Sequence, residues 1–328
     1  MAGKVPLKIA VAEHPHTSAI RDGSIPIEGV EAEIVTVKPQ IGAFRRMVRD
    51  VEFDVCEIAP TTYIAARAYG RPFKALPIFV VRRFHHAGLL VRPDAGIRTP
   101  KDLEGRKAGV RAYSVTTGVW TRQVLIDEFG VDNSRITWVV DDEEHVTQLV
   151  LPPNVIHAPQ GTSLAEMMAK GEIVAGFDAA AGIGRTGAPT GGWQEVEADY
   201  PDLFPNAEEL EADYYRRTGV YPMHGTIVVK DSVLEAHPWV AKSIYDAFLR
   251  AKDEWVAKLN SGEASGAGAD KYRKLQQIVG ADPLPYGIEA NRATIEALEK
   301  TAFDQGLIPR RMSMDELFVD PEKVAERV

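Results

Sequence analysis

The chain has one cysteine, Cys56, in 328 residues. No disulfide can form within it, which suits a reducing compartment. Long apolar runs are also missing. The longest spans residues 76–81, and only if Pro77 is allowed; a membrane span needs about 20. The opening stretch MAGKVPLKIAVAEH is too short and too interrupted to be a signal-peptide core. These absences lead us to expect a cytoplasmic protein with no membrane partner. Basic residues are in deficit, 38 Lys and Arg against 47 Asp and Glu, for a formal net charge of −9. A general nucleic-acid binder needs the opposite balance to neutralise phosphates, although a small anion needs only one local Arg. The hydrophobic fraction of 45% and charged fraction of 26% exclude disordered, collagen-like and coiled-coil chains. No GxGxxG, P-loop, GxSxG, HExxH or CxxC pattern occurs.

What is present is an alternation of strands and helices. Residues 8–12, 30–37, 53–58, 76–81 and 87–91 read as strands, with helices over 41–49 and 60–69 between them. That alternation predicts a mostly parallel α/β sheet. A second unit begins near residue 97. Thr99-Pro-Lys-Asp102 opens a helix with a capping residue, a proline and an acid. Strands follow at 106–110, 136–140 and 173–177, with helices ending at Phe129 and Lys170. A strand at 224–230 leads into Ser232-Val-Leu-Glu235, which has the spacing of a capping box, and a long helix from Pro238. Residues 261–269 are rich in Gly, Ser and Ala and read as a flexible loop. The remainder, 270–328, reads as helical.

The chain thus leaves one α/β lobe, builds a second and returns. The expected lobes are 1–90 plus 225–328, and 91–224. This layout resembles the type 2 periplasmic-binding-protein fold, a two-lobed α/β architecture with a ligand cleft between lobes. Ligands of open α/β sheets sit beyond the carboxyl ends of the strands. That rule selects His14, His16 and Thr17 after the first strand, and Glu57, Thr61 and Thr62 after the third. It also selects Arg82, His85 and His86 at the first crossover, and Arg111, Ser114, Thr116 and Thr117 after the strand at 106–110. Asp178 and His224 complete the set.

Each candidate has a plainer role beside the functional one. His85 and His86 would point to opposite faces of a strand, so at most one, His86, faces a ligand; otherwise both are strand-end packing. His14 and His16 share a face in an extended segment and could bind a metal. A catalytic metal needs three or more protein ligands, and contact with an organic ligand fits better. Ser114, Thr116 and Thr117 stand where a helix begins, suited to a carboxylate or to simple N-capping. Arg111 beside them strengthens the anion alternative. Cys56 reads as inert core.

Longer segments resemble one family. EFDVCEIAPTTY (52–63), RRFHHAGLLVR (82–92), AYSVTTGVWTRQVL (112–125), DYYRRTGVYPMH (213–224), HPWVAKSIYDAF (237–248) and the stretch from YGIEANRATIEAL to QGLIPRRMSMDELF (286–318) are similar to 4,5-dihydroxyphthalate decarboxylases. There are departures: His14-Pro-His-Thr17 replaces a Tyr-Asp-Arg-Thr run, His85 replaces Arg, and Arg111 replaces Pro. The resemblance implies a cytoplasmic, cofactor-independent carboxy-lyase of aromatic catabolism acting on a hydroxylated aromatic acid. A solute receptor for aromatic carboxylates and a metal enzyme built on His14 and His16 are the alternatives. On the decarboxylase reading, His86 or His224 protonates the ring. Arg82 or Arg111 anchors a carboxylate with Thr116 and Thr117 in support, and Glu57 or His16 holds the phenol. Assembly into a homo-oligomer is left open.

Overall fold

The computed structural model describes residues 3–187 and 194–324. In chain order the strands are β1 (Val5–Ala10), β2 (Val30–Ile34), β3 (Val55–Ile58), β4 (Phe73–Arg82), β5 (Leu89–Val91), β6 (Lys107–Gly109), β7 (Thr137–Val140), β8 (Val155–His157), β9 (Ala175–Phe177), β10 (Arg185–Thr186), β11 (Gln194–Glu195) and β12 (Met223–Lys230). The chain divides into two compact units. One holds the residues up to Arg83, Thr218–Ala297 and those from Arg310 on; the other holds Phe84–Arg217 and Leu298–Pro309. These boundaries differ from the expected ones: residues 84–90 belong to the second unit, 218–224 to the first, and 298–309 to the second.

The first unit carries a five-stranded sheet in the order β2-β1-β3-β12-β4. β1 lies parallel to β2, with Val5 opposite Val30, and parallel to β3, with Ile9 opposite Val55. β12 runs antiparallel to both β3 and β4. The sheet is therefore mixed where the sequence suggested a mostly parallel one. Periodicity shows that a segment is extended but not which way it runs. The long helix Val240–Ser261 packs Val240, Ala241, Ile244 and Phe248 into a core with Leu7, Ile9, Val55, Ile78, Val80 and Ile227. Its start, and that of the helix before it, differ from expectation. Asp231–Ala236 begins one residue before Ser232, so Ser232 and Glu235 lie inside it and form no capping box. The helix Ala267–Val279 begins inside the Gly/Ser/Ala-rich segment that read as a loop.

The second unit carries the order β5-β9-β6-β7-β8, with β5 antiparallel to its neighbour β9 and the other pairings parallel. Thr99 and Asp102 do form a capping box, though the turn they close is a 3₁₀ helix, Pro100–Leu103. Leu164, Met167 and Met168 of the helix Leu164–Lys170 pack with Val139, Ile173 and Ile183. After β9 the backbone doubles back tightly, and Ala179 takes a positive φ of 43°. A methyl group on Gly184 would collide with the backbone of Ala179. We predict that Gly184→Ala costs about 1–3 kcal/mol, because backbone cannot yield as a flexible side chain can. A denaturant melt tests this, and an unchanged midpoint would contradict it.

Candidate active site

In the first unit, the parallel pairing of β1 with β3 sets the carboxyl ends of both strands side by side. The chain then turns at His14–Thr17. Thr17 closes this turn: its hydroxyl reaches the carbonyls of Ala12 (3.1 Å) and His14 (3.2 Å) and accepts the His14 backbone N–H (3.2 Å). Thr17 therefore shapes the loop. His14 Nε2 sits 3.0 and 3.1 Å from the two carboxylate oxygens of Glu57. Glu57 also accepts the Ala12 backbone N–H at 2.9 Å. A Cβ on residue 225 would stand 3.2 Å from Glu57 Oε1, so Gly225 on the neighbouring strand leaves the carboxylate its room.

His16 is the best-defined group in this cluster. Its Nε2 lies 2.9 Å from the carbonyl oxygen of Val80. A carbonyl can only accept, so Nε2 carries the hydrogen and Nδ1 presents a lone pair. Nδ1 is buried and has no hydrogen-bond partner. The ring stacks on His14 at 5.4 Å and is walled by Trp255 at 5.5 Å and Tyr272 at 6.0 Å. Burial, followed by the neighbouring His14, lowers the His16 pKa to about 3. The ring is therefore neutral at ordinary pH. Although His14 and His16 share a face, one ring turns its Nε2 to Glu57 and the other to a carbonyl. Among the described residues no group of three His, Cys, Asp or Glu side chains could hold a metal ion.

His224, near the start of β12, faces Arg83 and Lys271; desolvation and these two cations hold its pKa well below the ordinary value. Lys271 Nζ lies 5.0 Å from the centre of the Tyr272 ring. Desolvation and Arg83 lower the Lys271 pKa to about 8. Burial pushes the Tyr272 pKa up to about 12. Sequence reasoning missed Arg83, Trp255, Lys271 and Tyr272. Arg83 had a usable signal: it follows Arg82 at a strand end, where neighbours face opposite ways. Thr61 and Thr62 stand, buried, in the first turn of the helix Pro60–Ala68.

Arg82, expected with Arg111 as one of two alternative anchors for a carboxylate, is engaged inside the protein. It is fully buried, donating to the carbonyls of Tyr221 (2.5 Å) and Pro285 (3.1 Å) and to the Asn291 side chain. Phe79 and Tyr221 lie under its guanidinium at 4.9 and 5.0 Å. It is an internal tie between loops.

The second unit has used its polar groups in a similar way. The His86 ring packs against Tyr214 at 5.4 Å and Phe204 at 6.4 Å. Burial, then Arg217, lowers its pKa to about 4, so it holds no transferable imidazolium proton near neutrality. His85 is buried, and its carbonyl accepts the Thr121 hydroxyl at 2.8 Å. Arg111 pairs with Asp142 at 2.9 Å, both side chains nearly buried, so it too is committed inside the protein. The turn before the helix Thr116–Phe129 does bind a carboxylate, but one of the protein's own. Glu144 accepts the backbone N–H of Tyr113 (2.5 Å) and of Ser114 (3.3 Å) and the Ser114 hydroxyl. Thr116 and Thr117 are buried in the first turn of that helix. The Asp178 carboxylate lies against Gly88, where a Cβ would stand 3.1 Å from Oδ1 and where φ is +95°.

Two outcomes follow. Arg82→Met should destabilise the protein by about 3 kcal/mol or more, because the buried acceptors on Tyr221 and Asn291 lose this donor. A variant with unchanged melting but lost ligand binding would restore Arg82 as an anchor. The lowered pKa values of His16 and His86, against the unfolded value of 6.5, mean that the unfolded chain binds more protons below pH 6.5. Stability is thus fully present above pH 6.5 and is lost as pH falls toward 3–4. His16→Gln should flatten that decline by up to about 1.4 kcal/mol per pH unit. An unchanged slope in urea titrations at stepped pH would contradict the burial of a neutral His16.

The comparisons agree with this fold and extend it. The family model described as "ABC transporter, phosphonate, periplasmic substrate-binding protein" matches residues 27–177. The alkanesulfonate-binding protein SsuA from Xanthomonas axonopodis pv. citri, solved bound to MOPS, superposes with a TM-score of 0.52 at 13% identity, covering 97% of this chain and 99% of that one. At that identity the likeness shows the fold alone: α/β, of the periplasmic-binding-protein type. A 4,5-dihydroxyphthalate decarboxylase from Comamonas testosteroni is 30% identical over 327 residues, 96% of each chain. A second, from Pseudomonas putida, is 32% identical over 221 residues, 65% of this chain and 82% of that one. With similarity of that extent running the full length of both proteins, the chain belongs to the 4,5-dihydroxyphthalate decarboxylase family.

Proposed function

We propose that the chain is a cofactor-independent decarboxylase of a hydroxylated aromatic carboxylic acid, 4,5-dihydroxyphthalate or a close analogue. The observation that carries this is its 30% identity over 96% of a decarboxylase of that name. The site in the first unit supplies what the chemistry requires. A phenol oxygen on the ring releases electron density toward the carbon that bears the carboxylate. That carbon takes a proton, the C–CO2 bond breaks, and its electron pair stays with the ring. Nδ1 of His16 offers a fixed acceptor for a phenolic O–H, beside the ring faces of Trp255 and Tyr272. Glu57 with His14 offers a second acceptor, able to take up the proton as the phenol ionises. Arg83 and Lys271 supply positive charge for a carboxylate. His224 and His86 are both held neutral and are poor ring-protonating acids.

The experiment is incubation with a panel of hydroxylated phthalates and benzoates while CO2 release is followed, before and after exhaustive chelation. We expect release from an acid with a free hydroxyl ortho or para to its carboxylate, unchanged by chelation. Binding of such acids without CO2 release would instead support a solute receptor. Activity lost on chelation and restored by a metal would support the metal reading. Cytoplasmic residence is part of the proposal, and fractionation of the native cell tests it.

A further inference from the structure

We propose that Lys271 is the group that delivers the proton to the ring carbon as CO2 leaves. The inference rests on the decarboxylase reading and names the acid that the reading needs. The ammonium lies over the Tyr272 ring at 5.0 Å, and His16 meets the same ring edge-on at 6.0 Å. The donor and the phenol acceptor therefore flank one aromatic wall. Among the described residues no carboxylate pairs with Lys271. Its N–H groups thus stay available to a ligand, unlike those of Lys252, which serve Asp253 and Asp282.

The other acids of the cluster are less suited. His16 and His224 are neutral near pH 7. His14 is engaged by Glu57. Arg83 does not release a proton in water at any ordinary pH. The groups facing Lys271 are Arg83, His16, His224 and Tyr272. Burial, and then Arg83, loosens the hold of Lys271 on its proton, which brings it near the working range of a general acid. In the step, the ring carbon gains a proton from Nζ and the C–CO2 bond breaks. The product is CO2, the protonated ring and a neutral amine, which then recovers a proton from water.

The test combines three measurements on the full chain with 4,5-dihydroxyphthalate. First, kcat of the wild type should fall above about pH 8 as the ammonium is lost; a flat profile between pH 7 and 9.5 would overturn the proposal. Second, Lys271→Arg keeps the charge but cannot give the proton. It should lose about 10²-fold or more in kcat while substrate affinity changes only a few-fold; kcat within tenfold of wild type would overturn it. Third, Lys271→Cys treated with 2-bromoethylamine rebuilds a primary amine one sulfur from the original. Recovered turnover with a shifted alkaline limb is expected, and a folded, alkylated protein with no recovery would overturn the assignment. If the wild type releases no CO2 at all, the decarboxylase reading fails. If only the Lys271 results go against expectation, that reading stands and the assigned acid is wrong.

Discussion

One hydrogen bond sets the chemistry available in the first unit: the Nε2 hydrogen of His16 goes to the carbonyl of Val80. It fixes the tautomer, and with it the direction in which the imidazole can accept. The ring is buried between His14, Trp255 and Tyr272, so the tautomer cannot exchange freely through water. A buried lone pair with no donor is costly to leave unmet. A phenolic O–H meets it, whereas a carboxylate oxygen would be repelled by it. On the proposed function, this lone pair is what would select hydroxylated rings over plain aromatic acids before any charge is considered.

Charge completes the selection, and the two units treat it differently. In the second unit Arg111 meets Asp142, Arg185 meets Asp141, and the amides of Tyr113 and Ser114 meet Glu144. Arg111 and Arg185 thus each have an internal anion, which leaves neither for a ligand to neutralise. In the first unit Arg83 and Lys271 lie near each other and near the neutral His224; burial first, and then the repulsion between the two cations, lowers the Lys271 pKa. A bound anion relieves that repulsion. Binding energy from a carboxylate would therefore come from cations already crowded together before the ligand arrives.

The strands were largely legible in the sequence, because short β-branched runs bounded by turn residues leave few alternatives. The rule that ligands gather beyond strand carboxyl ends found His14, His16 and Glu57, which the structure does bring together. It did not foretell the surroundings of Arg82 and Arg111, since a position near a strand end does not reveal which acceptors surround a side chain. Arg82 is claimed by Tyr221, Pro285 and Asn291, more than 130 residues away in sequence. Glu144 was invisible for the same reason: its contacts with Tyr113 and Ser114 bridge about thirty residues of intervening chain. Lys271 falls in the segment 270–328, which the sequence marks only as helical. Only the folded sheet and the helix Val240–Ser261, which supplies Trp255, give it a role.

The central claim is that a ring carbon exchanges CO2 for a proton at this site. It is tested most directly by running the reaction in D2O with 4,5-dihydroxyphthalate and reading the product by NMR and mass spectrometry. We predict 3,4-dihydroxybenzoate with a single deuterium at the vacated ring carbon, formed in step with CO2. Recovery of the unaltered diacid, bound or free, with no deuterated product would contradict the account.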